Sequence, residues 1–285
     1  MKVKALSFSM KRILLFIVLV SLFLSFSGNI GQYLIDSQGM NRELGMFLQG
    51  IIFTGLTISF LYIFKKKHPN VLADIDLTGI SLSPKLIFGL ILPFLLLILG
   101  VVTASVLGIV ENVRLNLTGS VLVAVGINTI TAFLYEAFPE EVFIRGLIFT
   151  ELRKKFSFVA SLFLQPLIFV CIPIIVIALG AILFGQPFAV GIDYVILLYV
   201  FGIALQLYRH YTGVLWASIL FHLVYLEATR YIAMGGVYDP EMALITFEES
   251  VEGMMTVYLS FLYIIILSIV ILSILIFIDR KRKNK

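Results

Sequence analysis

The chain is poor in cysteine and in charged residues. Its single cysteine, Cys171, excludes an intrachain disulfide and leaves no cysteine spacing typical of a metal site. Charged residues make up 13% of the 285 residues and hydrophobic residues 60%, whereas soluble domains are about a quarter charged and about half apolar. This balance excludes an ordinary soluble domain and indicates a polytopic protein of the lipid bilayer. We expect no nucleic-acid partner.

Long apolar runs fill most of the sequence and are separated by short polar segments. Most are near the 20 or so residues that a helix needs to cross a bilayer. We therefore predict an all-α membrane helix bundle of about eight transmembrane helices, forming one domain over residues 1–285. The predicted spans are 13–30, 44–64, 85–110, 119–152, 156–184, 190–208, 211–232 and 257–278. The first run has an alternative interpretation as a cleaved signal peptide, because Ser25-Phe26-Ser27 fits a small-x-small cleavage pattern.

Lysines and arginines are concentrated at alternate ends of these spans. If both termini are cytoplasmic, all of the 21 except Arg42, Arg114 and Arg230 lie on the inner side. Such an excess marks the cytoplasmic side of a membrane protein. We therefore expect a multi-pass protein with both termini in the cytoplasm, in a plasma membrane of bacterial type. The acidic segment 239–252 is interpreted as a solvated outer loop.

One predicted span, 119–152, contains three carboxylates and a guanidinium: Glu136, Glu140, Glu141 and Arg145. Each such group costs a few kcal/mol or more in hydrocarbon unless it finds a partner or water. Glu141 and Arg145 are four residues apart with the acid first, which favours a helical ion pair. Pro139 lacks an N–H and is expected to kink the helix. The cluster indicates a functional site; a structural ion-pair network that braces a kinked helix is the alternative.

An estimate of depth connects this cluster with a histidine far along the chain. Glu141 lies twelve residues before Arg153, and His222 lies twelve residues after His210. At about 1.5 Å per residue, both side chains are roughly 18 Å from the cytoplasmic side. We therefore expect them to open onto one polar pocket. Glu136 and Glu227 are interpreted as water-facing or interhelical bonding groups, not as catalysts.

Two segments resemble a known family. Glu140-Glu141-Val-Phe-Ile-Arg145 resembles the Glu-Glu-x-x-x-Arg signature of the CPBP intramembrane proteases, the family of CAAX proteases and bacteriocin-processing or immunity proteins also called Abi. The segment from Gly202 to His222 is similar to the last core segment of that family. The resemblance covers residues 119–232, which would form the four-helix core.

The resemblance implies a membrane endopeptidase that hydrolyses a peptide bond in or near the bilayer. Glu140 would be the general base that activates water, and Glu141 would support it, held by Arg145. His222 would bind a metal or polarise the reacting centre, and in a metalloprotease His222 and Glu141 would be metal ligands with zinc as the candidate. The substrate would be a peptide or a membrane protein.

The sequence departs from the family pattern at two positions. The family usually has Phe-x-x-x-His in its second core helix, whereas here Phe163 is followed by Leu167, near Gln165. It also usually has a polar residue four positions after the last histidine, where this chain has Leu226 followed by Glu227. A catalytic zinc normally has three protein ligands, and one histidine with carboxylates is a poor set.

These departures leave a second function open. A family member without catalytic histidines would act as a membrane scaffold or regulator that binds a kinase, a cell-wall enzyme or a peptide through the same cavity. A third hypothesis, a proton-coupled transporter, would require paired broken helices in two related halves. The sequence does not display that relation.

Overall fold

The computed structural model describes residues 8–234 and 240–283, and in them the chain is almost entirely helical. We number the long helices α1 to α8 in chain order. They are α1 (Met10–Gln38), α2 (Arg42–Lys67), α3 (Pro84–Val106), α4 (Gly119–Arg153), α5 (Phe158–Phe184), α6 (Ile192–Thr212), α7 (Leu215–Ala228, continued by Thr229–Ala233) and α8 (Thr256–Lys283).

Local sequence signals determine where several of these helices begin and end. The Asn41 side chain accepts a hydrogen bond from the N–H of Glu43 at 2.8 Å at the start of α2. The Ser157 hydroxyl accepts one from the N–H of Ala160 at 3.2 Å at the start of α5. Such N-caps satisfy backbone donors that have no partner within the helix. Gly39 ends α1 at a φ of 64°, a left-handed conformation that favours glycine.

Seven of the helices, all except α7, are long and apolar enough to cross a membrane. This confirms the predicted class, an integral membrane bundle of helices. The helix α7 occupies the predicted span 211–232, but its α-helical part, Leu215–Ala228, has only 14 residues. It also carries three ionisable residues, His222, Glu227 and Arg230. Of about eight predicted spans, one therefore forms a shorter helix than expected.

A two-stranded antiparallel sheet was not predicted. Its strands are β1 (Val110–Leu115) and β2 (Ile245–Glu249), and Leu115 lies opposite Ile245. The interpretation of 239–252 as a solvated loop is therefore wrong for β2; Asp239 lies outside the described residues. The glutamates dominated the pattern of this segment and obscured its alternation, in which Ile245 is buried and Thr246 exposed.

The described chain divides into two compact units. The first consists of the residues up to Ile80 together with Phe138–Gln206, and the second of Ser81–Ala137 together with the residues from Leu207 onward. The boundaries fall within α4 and α6, so each of these helices contributes to both units. That residues 1–285 form one domain stays a prediction.

Aromatic side chains hold α4 against α1 and α2 in the first unit. The ring of Phe143 stacks on Phe60, with centroids 5.4 Å apart, and meets Phe23 edge-on at 6.0 Å. Phe16 packs edge-on against Phe60 and Phe64. Such pairs add about 0.5–1.5 kcal/mol each to the apolar packing. They fix the segment of α4 that carries the predicted site.

An ionic cluster ties the start of α1 to the end of α4. The Glu151 carboxylate accepts hydrogen bonds from Arg12 Nη2 at 2.7 Å, from the Ser9 backbone N–H at 2.7 Å and from Lys154 Nζ at 2.8 Å. Burial and, after it, the positive charge of Arg12 lower the pKa of the neighbouring His68. The lowered pKa favours the neutral form of His68 beside this cluster.

The helices α5 and α6 approach each other closely at Gly202. A Cβ atom built on Gly202 would lie 3.0 Å from Pro166 Cβ and 3.3 Å from Arg145 Nη2. Because glycine has no side chain, it lets two membrane helices approach each other closely. Glycine at this position brings α5 and α6 to the guanidinium of α4.

In the second unit, α3 packs along α8. A Cβ atom on Gly100 would lie 2.5 Å from Leu259 Cδ1 and 3.2 Å from Tyr263 Cγ, so the small residue favours close packing of the two helices. The Tyr258 hydroxyl donates a hydrogen bond to Thr103 Oγ1 at 3.0 Å. An ion pair between Lys85 and Asp279 joins the start of α3 to the end of α8. These contacts connect segments that are far apart in the sequence.

We expect the Gly202→Ala variant to be less stable than the wild type. The added methyl group would crowd Pro166 and Arg145, and overpacking of this kind costs about 1–3 kcal/mol. Thermal unfolding of the purified protein in lipid nanodiscs would measure the loss. Gly126→Ala is the matched control, because a Cβ atom there has nothing within 4 Å. A Gly202→Ala protein at least as stable as the control would contradict the close approach.

Candidate active site

The helix α4 changes its hydrogen-bonding pattern around Pro139. It is α-helical over Gly119–Ala132, π-helical over Phe133–Ala137, α-helical over Phe138–Glu140 and π-helical again over Glu141–Ile148. Because proline has no N–H, the regular i→i−4 ladder cannot run through it. Wide turns of the π type are rare and are frequent at functional sites. Where we predicted a kink, the structure has these π turns on both sides of the proline.

Glu141 and Arg145 form a fully buried ion pair in the first unit. Arg145 Nη1 lies 3.1 Å from Glu141 Oε1, and neither side chain is exposed at all. The guanidinium also lies over the ring of Phe169, at 4.1 Å from the centroid. The pairing predicted from the four-residue spacing is therefore present. Such a pair must be well bonded, since desolvation of either charge alone costs several kcal/mol.

Glu140 differs from Glu141 in its environment. Its side chain is half-buried, whereas that of Glu141 has no exposed surface. Two adjacent carboxylates in different surroundings can take different protonation states and roles. The arrangement leaves Glu140 as the more accessible of the two and Glu141 as the partner of Arg145.

His222 lies in the second unit, on α7, and is only 3% exposed. Its neighbour Phe221 stacks on Tyr208 with centroids 4.3 Å apart, and the Tyr208 hydroxyl lies 2.9 Å from Ser268 Oγ. This packing holds α7 against α6 and α8. A pocket that His222 shares with the carboxylates of α4 stays a prediction.

Two polar contacts join α4 to α7 within the second unit. Arg230 Nη2 donates to Glu136 Oε1 at 2.6 Å, and Asn128 Nδ2 donates to Glu227 Oε1 at 2.6 Å. The interpretation of Glu136 and Glu227 as interhelical bonding groups is confirmed. Arg230, counted among the outer positive charges, is engaged in an ion pair.

The two residues that were matched to the family's Phe-x-x-x-His pattern lie away from the buried face of α5. Phe163 and Leu167 are 48% and 53% exposed, so they lie on the outer face of α5 and not on its buried face. The phenylalanine on the buried face is Phe169, which contacts Arg145, and the residue four positions after it is Pro173. The match of Phe163 and Leu167 to the family pattern stays a prediction. No histidine occurs in α5.

Sequence reasoning missed the polar residues on the buried face of α5. Ser161 and Gln165 are both completely buried there, and so is Gln206 on α6. The available signal was their spacing: Ser161 and Gln165 are four residues apart in an otherwise apolar run, which places them on one face of a helix. Only the burial of that face distinguishes them from polar residues at a surface.

Comparison with known proteins supports the resemblance. Residues 125–225 match the family model described as Type II CAAX prenyl endopeptidase Rce1-like. The matched region runs from α4 into α7 and contains all four predicted site residues, so the resemblance to the CPBP family is confirmed over this region. No curated protein and no solved structure matches the chain.

The described side chains do not fit a zinc ion. Among residues 8–234 and 240–283, no group of three or more His, Cys, Asp or Glu side chains could hold a metal. Zinc in proteins is bound by three or four such ligands. A zinc site on His222 and Glu141 therefore has no support from the described residues.

We expect Arg145→Met to destabilise the protein strongly. It would leave the Glu141 carboxylate buried without its guanidinium partner, which costs about 3–5 kcal/mol. The measurement is thermal unfolding in nanodiscs together with abundance in the membrane. The double variant Glu141→Met/Arg145→Met is the control, because it removes both charges and should recover most of the loss. A double variant no more stable than Arg145→Met would contradict a coupled pair.

We expect the purified protein to contain much less than one equivalent of zinc. The reason is the poor ligand set described above, since a single imidazole with carboxylates binds zinc weakly. Mass spectrometric metal analysis after purification without affinity metals would measure the content. Stoichiometric zinc that survives brief chelation and is lost in His222→Ala would overturn the expectation.

Proposed function

We propose that this protein is an intramembrane endopeptidase of the CAAX-protease type, in which Glu140 activates the water that hydrolyses a peptide bond. The substrate is a peptide or a membrane protein cut in or near the bilayer. The match of residues 125–225 to CAAX prenyl endopeptidases supports the class of enzyme.

The observation that carries the proposal is the unequal environment of the two adjacent glutamates. Glu141 is fully buried against Arg145, with Arg145 Nη1 at 3.1 Å from Glu141 Oε1, while Glu140 is half-buried. A carboxylate that a guanidinium holds charged is a poor proton acceptor, because protonation would cost it that partner. The accessible neighbour is therefore the better general base.

The chemistry is hydrolysis. Glu140 takes a proton from water while the water oxygen bonds to the carbonyl carbon of the substrate. The C–N bond then breaks, and the proton held by Glu140 passes to the departing amine. In this proposal His222 polarises the substrate carbonyl, and Glu141 and Arg145 are positioning residues that keep the helix turn at Glu140 in place.

We also propose that both termini are cytoplasmic, in a bacterial plasma membrane. The concentration of lysine and arginine at alternate ends of the helices supports this orientation. Termini on the same side require an even number of crossings, so α7 must cross as well. Its residues from Leu215 to Ala233 would reach about 28 Å at the rise of an α-helix, close to the thickness of the hydrocarbon layer.

We expect Glu140→Gln to abolish cleavage without loss of protein. The amide keeps the shape of the side chain but cannot take a proton, and removal of a general base slows a reaction by about 10²–10⁴-fold. Cells producing the wild type or the variant at equal abundance would be compared by mass spectrometry of new protein termini in their membrane fraction. Termini that depend on the wild type would disappear in the variant.

Glu248→Gln is the matched control, since Glu248 is an exposed glutamate of β2. It should leave every new terminus in place. If the wild type itself produces no termini beyond those of cells lacking the protein, or if Glu140→Gln retains them, hydrolysis at Glu140 is refuted.

A second candidate function is a membrane scaffold or regulator without catalytic activity. The observation that favours it is the absence of a histidine on the described buried face of α5, where Phe169 is followed four residues later by Pro173. In that case a phenotype of the deleted gene would be restored equally by the wild type and by Glu140→Gln.

A further inference from the structure

Three buried polar side chains of the first unit have hydrogen-bonding groups without a protein partner. They are Ser161 and Gln165 on α5 and Gln206 on α6, and none has any exposed surface. Within the described part of the chain, the Ser161 hydroxyl and both amide atoms of each glutamine make no hydrogen bond. A buried polar group left in this state costs about 1–3 kcal/mol. Native structures usually satisfy such groups with protein atoms or ordered water.

The close approach at Gly202 brings these side chains to one region. Pro166, next to Gln165, is the residue of α5 that a Cβ atom on Gly202 would meet. Gln206 follows Gly202 by one helical turn, and Ser161 precedes Gln165 by one turn on the same face of α5. Because consecutive membrane spans run in opposite directions, the turn after Gly202 lies level with the stretch from Ser161 to Gln165. The region adjoins Arg145, because a Cβ atom built on Gly202 would lie 3.3 Å from Arg145 Nη2.

The chemistry of these groups fits water. A carboxamide offers both donors and acceptors, and a hydroxyl offers one donor and two acceptor lone pairs. A buried water molecule makes about two to four hydrogen bonds of both kinds. A peptide would need an opening that these fully buried side chains do not provide. A cation would be repelled by the adjacent Arg145, and an anion would compete with Glu141 for the same guanidinium.

We infer that Ser161, Gln165 and Gln206 bind buried water beside Arg145, and that this site supplies the water consumed at Glu140. The supply of water to Glu140 rests on the proposed function, whereas the binding of water by the three side chains does not. Ser161 is four residues from the N-cap Ser157, or about 6 Å along the helix axis, so the site is one turn from the end of α5. On its other side, Arg145 connects the site to Glu141 and hence to the turn that carries Glu140. Hydrolysis inside hydrocarbon requires such a polar route for water.

Radiolytic footprinting tests the water site directly. X-ray pulses convert bound water into hydroxyl radicals, which oxidise the side chains next to it, and mass spectrometry locates the products. In wild-type protein in nanodiscs we expect oxidation of Leu162, Pro166 or Phe169, on the buried face of α5. Phe163 and Leu167, on its outer face, are the internal reference and should stay at background.

The variant Gln165→Leu/Gln206→Leu should lower oxidation of the buried face to the level of the reference side chains. Gln49→Leu, which changes a buried glutamine of α2 in the same unit, is the matched control and should leave it unchanged. Wild-type oxidation of the buried face at background would overturn the water site. This comparison needs no variant, so a folding defect cannot hide the result.

Different results would refute the water site and its supply of water to Glu140. Glu140→Gln should lose the new protein termini and keep the oxidation pattern, since it removes the base and not the water. A folded Gln165→Leu/Gln206→Leu protein should produce the termini more slowly than the wild type. If it produces them at the wild-type rate after losing the oxidation, water supply to Glu140 is refuted while the site itself stands.

Discussion

The buried ion pair between Glu141 and Arg145 is the constraint on which the rest of the first unit depends. Two charges without any exposed surface are tolerated only if their geometry holds, because either one alone would face several kcal/mol of desolvation. The surroundings provide that geometry. The guanidinium lies over the ring of Phe169 on α5 and beside Gly202 on α6, so three helices meet at one side chain. Aromatic packing of Phe143 on α1 and α2 fixes the same segment from the other side.

This constraint makes Glu140 and Glu141 chemically different although they are neighbours in the chain. Glu141 is fully buried in an ion pair with Arg145, whereas the side chain of Glu140 is half-buried. The π turns on both sides of Pro139 belong to the same arrangement, since they change the direction of successive side chains within a single membrane helix. The proposed hydrolysis depends on this buried pair next to a more accessible carboxylate, and the match to CAAX endopeptidases spans the region.

Prediction from the sequence identified the class of the fold and one ion pair, between Glu141 and Arg145. The apolar runs lie close to the observed helices, and the spacing of Glu141 and Arg145 predicted a pair that is present. Periodicity alone did not identify the buried face of α5, because its two spaced polar residues, Ser161 and Gln165, could equally lie at a surface. The apolar Phe163 and Leu167 look like core residues in the sequence but are exposed. It also missed β2, whose glutamates suggested a loop.

By itself, the sequence determined that this is a membrane protein made of helices, where most of its long apolar runs lie, and where charge interrupts them. Those properties follow from composition and from spacing within one helix. Only the tertiary structure decided that Glu136 pairs with Arg230 and that Glu227 bonds to Asn128. It also decided that the amide groups of Gln165 and Gln206 are buried without a hydrogen bond to the described protein atoms. The physical reason is that contacts between helices depend on which faces meet, and an apolar helix in lipid carries no pattern that specifies its inner face.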